Sequence, residues 1–310
     1  MIRKDFPALR EHYFEETLEN GLVVRVVPRP GFAKKFAFLA ADFGSIDMRF
    51  SFDGRNYAVP AGVAHYLEHK MFDLPEGNAM EIYAKYGGSN NAFTNYTMTA
   101  YYVECTDCFE ENLQTLLRMV MTPYFTDESV EKERGIIEQE IRMYEDSAGS
   151  ACFENLFAAM YGSHPARIPI CGTVESIAEI TPETLYACHK AFYDPANMML
   201  CVVGDVDPER VAELARQHTP KGTKKRAVRD YGAQEPMTCP QPVVRRQMEV
   251  SMPTFAIGFK CLPASGGAEA ERLELIGDLA AELLTGESSA LYQRLYEQGV
   301  IDGDFSSEFE

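Results

Sequence analysis

Two histidines four residues apart, His65 and His69, with Glu68 beside the second, constrain this chain more than any other stretch. Side chains at positions i and i+4 lie on one face of an α-helix, about one turn apart, so the imidazoles meet only if the segment is helical. Two neutral imidazole nitrogens so placed can bind one zinc ion. Glu68, three residues after His65, reaches the same face, where a carboxylate can handle the protons of a metal-bound water. An ordinary helix face can carry the same spacing by chance, so a third ligand and the context decide.

The surrounding pattern supports the helix. Pro60 precedes Ala61-Gly62-Val63-Ala64-His65 and suits a first helical turn. Upstream, Glu19-Asn20-Gly21-Leu22 reads as a hairpin turn, followed by β-rich runs over 22–27 and 35–43. Downstream, 79–86 reads as a helix stopped by Gly87-Gly88, and 91–97 and 100–106 as two strands around a short turn. Apolar residues at 109, 113, 116, 117 and 120 form a helical stripe. A long helix opens at Asp127 and passes Tyr144, a buried strand spans 197–204, and a further helix spans 206–217. The stretch 219–242, rich in Lys, Arg, Pro and Gly, reads as a linker. Beyond it, 243–260 reads as strands and 268–284 as a helix. The expected class is α+β, with a first domain over 1–218 and the start of a second over 243–310, which stops within a plausible strand.

A two-histidine zinc site usually adds an acidic ligand. Between Glu131 and Glu145 several acids compete, and helix phase separates them. With Ile137 at zero and about 100° per residue, Ile136, Met143, Tyr144 and Ile141 define an apolar arc from about −120° to +40°. Glu133 and Glu140 fall inside it, near −40° and −60°, whereas Glu138 and Glu145 fall outside, near +100° and +80°. Carboxylates on an apolar face need a partner, either a metal or an Arg or Lys. The outer pair can simply be solvated.

Composition narrows the partners. The 310-residue chain carries a net charge of −18, which argues against nucleic acid and anionic membrane and would suit cationic ligands, basic peptides among them. No window approaches an uninterrupted apolar span of membrane length, and the first residues lack an apolar signal core, so a cytoplasmic location is expected. Eight cysteines without framework spacing read as reduced thiols. Cys105-Thr106-Asp107-Cys108 lacks the second pair that a structural zinc site needs.

Four motifs in order then carry a family resemblance. His65-Tyr66-Leu67-Glu68-His69 is an H-x-x-E-H signature. Gly87-Gly88 leads into Asn91-Ala92-Phe93-Thr94. The stretch 133–141 has the form E-R-x-[IV]-[IV]-x-x-E. Phe192-Tyr193-Asp194-Pro195-Ala196-Asn197-Met198 precedes Val202-Val203-Gly204-Asp205. The chain resembles the pitrilysin/insulinase family of inverted-motif zinc peptidases, in details such as 67–72 and 172–177 its bacterial YmfH-type branch. The resemblance implies similar two-layer α/β lobes, the second incomplete here, that form a clam-shell around an unfolded peptide. It implies one zinc per chain on His65, His69 and Glu140, Glu68 as general base, and Glu133 as an acid behind the histidines. It also implies that Asn91 to Thr94 is an edge strand to which substrate adds backbone to backbone, although Asn91 serves a strand end equally well.

One part of the pattern is missing. The family usually draws an Arg and a Tyr from its second lobe, in a segment like R-E-K-R-G-L-A-Y. The corresponding stretch, 288–302, puts Tyr296 where the Arg is expected and Ile301 or Asp302 where the Tyr is expected. Shifting the alignment makes Arg294 the arginine but leaves Ile301 at the Tyr position. The expectation is a zinc-bearing endopeptidase subunit completed by a related partner chain, or a homodimer. The alternatives are a non-catalytic scaffold subunit of a two-chain assembly and a zinc hydrolase of small substrates. The intact motif speaks against the scaffold.

Overall fold

Alternating apolar residues decide which face of the sheet is buried. Val24 and Val26, Ala37 and Leu39, Tyr101 and Val103, and Leu200 and Val202 are all buried, and apart from Ala100 their neighbours in sequence are not. That period of two is the signature of a sheet with one covered face. The structure, a computed structural model, describes residues 1–262, 264 and 266–309.

In chain order the elements are β1 (Ile2–Phe6), β2 (Glu11–Thr17), β3 (Val23–Pro28), β4 (Lys35–Ala41), β5 (Arg49–Phe52), β6 (Arg55–Ala58), α1 (Val63–Lys70), β7 (Asp73–Leu74) and β8 (Gly77–Asn78). Then follow α2 (Ala79–Lys85), β9 (Ser89–Thr94), β10 (Thr99–Cys105), α3 (Phe109–Met121), α4 (Asp127–Asp146), α5 (Ala148–Met160), α6 (Val174–Ile177) and α7 (Pro182–Phe192). The last are β11 (Met198–Gly204), α8 (Pro208–His218), β12 (Val228–Arg229), α9 (Ala268–Thr285) and α10 (Ala290–Glu297).

Seven strands form one sheet in the order β1-β2-β3-β11-β4-β10-β9. β11 runs parallel to β3, with Leu200 opposite Val24, and antiparallel to β4, with Leu200 opposite Leu39. It therefore separates two strands that are consecutive in sequence. β9 ends the sheet and pairs with β10. Helices α1, α3 and α8 pack on the sheet. The sheet's other face carries rings, where half-buried Phe36 meets Tyr102 and half-buried Phe38 meets the exposed Phe93. The expected α+β, two-layer lobe is what forms.

The chain divides into two compact units, Met1–Gly258 and Phe259–Glu310. The stretch 219–242, expected as a linker, is tied to the first unit. Thr223 donates to Asp194, and Arg229 and Tyr231 each reach Asp47 at 2.9 Å. Residues 243–260, expected as strands, form none. No neighbouring strand meets them among the described residues, and an extended chain is marginal without one. The second unit carries α9 and α10. α9 buries no residue, and Leu275, Leu279 and Leu283 lie exposed along it. No helix among the described residues is long and apolar enough to cross a membrane.

Candidate metal centre

The histidine-bearing helix begins later than Pro60. Gly62 has φ +87°, a left-handed conformation that halts a helix, so α1 starts at Val63. Its far side is core. Tyr66 and Leu67, the two open positions of the motif, are fully buried, and Tyr66 donates to the carbonyl of Val130 at 2.5 Å. Lys70 is also fully buried, bonded to Asp73 and to the carbonyl of Ser129. These contacts fix α1 against the start of α4. The remaining face presents His65, Glu68 and His69 together, with the imidazole centroids 4.6 Å apart.

Helix α4 supplies the acids. Glu133 accepts from Nδ1 of His69 at 3.0 Å, which leaves Nε2 of that ring as a lone-pair donor. That Nε2 lies 3.4 Å from one oxygen of Glu140, and Nε2 of His65 lies 3.6 Å from the other. The outer acid Glu138 pairs with Arg142 instead. Glu133 and Glu140 face the two histidines, and no Arg or Lys pairs with either among the described residues. The apolar arc is narrower than the periodicity suggested. Val130, Ile137 and Ile141 are buried, whereas Ile136, Met143 and Tyr144 are exposed. Glu140 thus sits at the edge of the buried stripe, partly covered, with Tyr144 one turn further along the helix.

Glu68 is buried, and burial pushes its carboxyl above the usual range, against the pull of His65, Thr94 and His69. The hydroxyl of Thr94 donates to Glu68 at 2.6 Å. Thr94, expected as part of a substrate-binding edge, therefore turns its side chain toward the acid. The other residues of that edge behave differently. Phe93 packs on the opposite sheet face, Ala92 is half-buried, and Asn91 turns back to accept from the Ala92 amide at 2.9 Å. Burial alone would lower the His69 pKa, but the hydrogen bond to Glu133 and the charges of Glu68 and Glu140 outweigh it and raise it. Glu140 is held below the usual carboxylate range, first by its contact with His65.

A fourth group joins them. Cys171, in the loop before α6, places Sγ 3.8 Å from Nε2 of His65. One donor atom each from His65, Glu140 and Cys171 lies within 4.8 Å of the others. Burial and the charges of Glu140 and Glu68 push the Cys171 thiol up to about 12.

The trio of His65, Glu140 and Cys171 has the spacing of a metal site, and His69 stands outside that trio, reaching Glu140 at 3.4 Å. Two nitrogen or oxygen ligands about 2.1 Å from a tetrahedral zinc lie about 3.4 Å apart. The separations of 3.4 and 3.6 Å match that spacing and are long for hydrogen bonds. Three carboxylates, from Glu68, Glu133 and Glu140, converge on two imidazoles and favour a cation. Nδ1 of His65 is buried without a hydrogen-bond partner, so packing and the contacts of Nε2 with Glu140 and Cys171 orient that ring.

Known proteins resemble this chain in sequence and fold. The family pattern described as Insulinase (Peptidase family M16) matches residues 55–174, and that of the Peptidase M16 inactive domain matches 179–310. The uncharacterised zinc protease YmfH of Bacillus subtilis is 42% identical over 98% of this chain and 72% of its own length. The chain belongs to the M16 insulinase family. An M16-like peptidase from Alicyclobacillus acidocaldarius superposes on this M16 chain with a TM-score of 0.89 and 33% identity, covering 99% of it and 72% of that protein. A mutant of the ferredoxin protease FusC, solved with Arabidopsis ferredoxin, matches with a TM-score of 0.62 and 27% identity, over 74% of this chain and 26% of FusC.

Two neighbours of His65 and Glu140 escaped the sequence. Tyr144 lies one turn beyond Glu140, a spacing that could have marked it. Cys171 has no such signal, because only the fold brings its loop to His65. In the second unit, Tyr296 on α10 is exposed and Ile301 is buried.

Proposed function

We propose that this chain is a zinc-dependent metalloendopeptidase acting on extended peptides, with His65, His69 and Glu140 as its zinc ligands. The observation that carries the reading is the approach of both Nε2 atoms to the two oxygens of Glu140, at 3.6 and 3.4 Å. Zinc held there would lower the pKa of a bound water to about 7 and polarise a scissile carbonyl. Glu68 takes the proton of the attacking water and passes it to the leaving amine. Thr94 holds one of its oxygens so that the other carries the proton. Glu133 keeps His69 in the tautomer that offers Nε2. The end strand β9, with Asn91 to Thr94, accepts an extended peptide by backbone pairing. The crystallised complex of FusC with ferredoxin supports a polypeptide substrate by likeness.

The working enzyme is a clam-shell completed by a related partner chain or a second copy. The altered Arg/Tyr stretch at 288–302 supports this arrangement. A reducing, cytoplasmic setting suits the eight free thiols. Elemental analysis and a peptidase assay on an unstructured polypeptide test the reading. Glu140→Gln is expected to lose most zinc. Glu68→Gln is expected to keep zinc and to lower turnover by at least about 100-fold, the usual contribution of a general base. Full zinc retention by Glu140→Gln would sink the ligand assignment, and a zinc-loaded Glu68→Gln with undiminished turnover would sink the mechanism.

A further inference from the structure

Cys171 is the cysteine that the fold places at the candidate zinc centre. We propose that in the substrate-free chain Cys171 binds the metal as a thiolate, in the position that hydrolysis requires for water, and so keeps the enzyme latent. The proposal rests on the reading of His65, His69 and Glu140 as zinc ligands.

Distance is the first argument. A thiolate about 2.3 Å and an imidazole nitrogen about 2.1 Å from one tetrahedral zinc lie about 3.6 Å apart. Sγ of Cys171 and Nε2 of His65 are 3.8 Å apart, and Glu140 completes a trio of metal-binding atoms within 4.8 Å. His69 joins through Glu140 at 3.4 Å. His65 is more than nine-tenths buried, its Nδ1 has no partner, and its Nε2 faces both the Cys171 thiol at 3.8 Å and a Glu140 oxygen at 3.6 Å. A metal at Nε2 accounts for all three groups.

Rigidity is the second argument. The loop that carries Cys171 is clamped to the entry of α1. A Cβ on Gly62 would stand 2.4 Å from the Cys171 carbonyl oxygen, and one on Gly172 would stand 2.5 Å from that of Ala61. The Ser176 hydroxyl also donates to the Ala61 carbonyl at 2.9 Å. The two glycines let the backbones touch, and Cys171 is thereby placed by the same frame as His65.

Catalytic zinc sites keep one position open, whereas four protein ligands make a closed site. On binding, the thiol passes its proton to solvent and its sulfur gives an electron pair to the metal, with no oxidant or reductant involved. Displacement by water or a peptide carbonyl reverses the step, and the departing sulfur takes a proton back.

Cobalt(II) added to the metal-free 310-residue chain tests the proposal. The expected spectrum has visible ligand-field bands of a tetrahedral ion and a near-ultraviolet thiolate charge-transfer band. In Cys171→Ser the ligand-field bands persist, the charge-transfer band disappears, and zinc affinity falls about tenfold. Ligand-field bands without charge transfer in the parent would overturn the proposal and leave the zinc reading standing. A charge-transfer band that survives in Cys171→Ser would also overturn it, since another cysteine would then supply the sulfur. No ligand-field bands in the parent would overturn the zinc reading, and the proposal with it. A second measurement needs no variant: zinc should shield Cys171 from iodoacetamide, read by peptide mass mapping, and leave the exposed Cys108 as reactive as before. Equal labelling of Cys171 with and without zinc would refute the thiolate contact.

Discussion

His189 lies inside the first unit, donating from Nε2 to the carbonyl of Val120 at 3.0 Å and stacked on Tyr193. Burial disfavours its charged form and pushes its pKa down to about 4 from the ordinary 6.5. The unfolded chain therefore binds this proton more readily than the folded one between those values. Stability falls as pH drops from about 6.5 toward 4, by about 3 kcal/mol from this group. Chemical denaturation at stepped pH should show the decline, and His189→Gln, which keeps a donor but cannot titrate, should flatten it. An unchanged slope in the variant would assign the acid sensitivity elsewhere. The legibility of single residues followed the same physics. Glu133 and Glu140 stood out because acids near an apolar stripe need partners, and the fold supplies the histidines. Ile136 and Met143 misled, since apolar character states a preference for burial and cannot say that a neighbour exists. Cys171 was invisible because its meaning lies in a contact made across 106 positions of chain.

Among the elements, helices and paired strands were the most legible, and segments with tertiary ties were the least. Phe109–Met121 was readable to the residue, because its stripe records the face that meets the sheet. Gly62 moved the start of α1 for a reason that only its backbone reveals. The stretch 219–242 looked like a linker by composition, yet Arg229 and Tyr231 hold its middle on Asp47, whose carboxylate is almost wholly buried. Burial raises the Asp47 pKa, and the Gly44 amide and Arg229 work against that rise. Removing the guanidinium leaves a buried carboxylate short of its counter-charge. Arg229→Ala is expected to cost about 3 kcal/mol of the first unit's stability. It should also speed proteolysis near residue 228. A stability loss of a few tenths of a kcal/mol would show that Asp47 is satisfied without its partner.

At the scale of the molecule, the family, the two-layer lobe and the edge strand at Asn91 to Thr94 followed from the motifs, while the sheet order needed coordinates. β11 lies between β3 and β4, so the centre of the sheet comes from residues 198–204. A growing chain holds its histidines, Thr94 and Glu140 long before that strand exists. At about 5–20 residues per second, roughly ten to thirty seconds separate the synthesis of β4 from that of β11. During that interval β3 and β4 expose edges that face each other across a missing strand. Nascent chains halted at Asp194 should lack cooperative unfolding and bind zinc poorly, although they hold all four candidate ligands. Ribosome-bound intermediates carrying tight zinc would contradict this. Any metal that His65, His69 and Glu140 hold would thus be acquired only after residues 198–204 are made, by a lobe that a late strand has just closed.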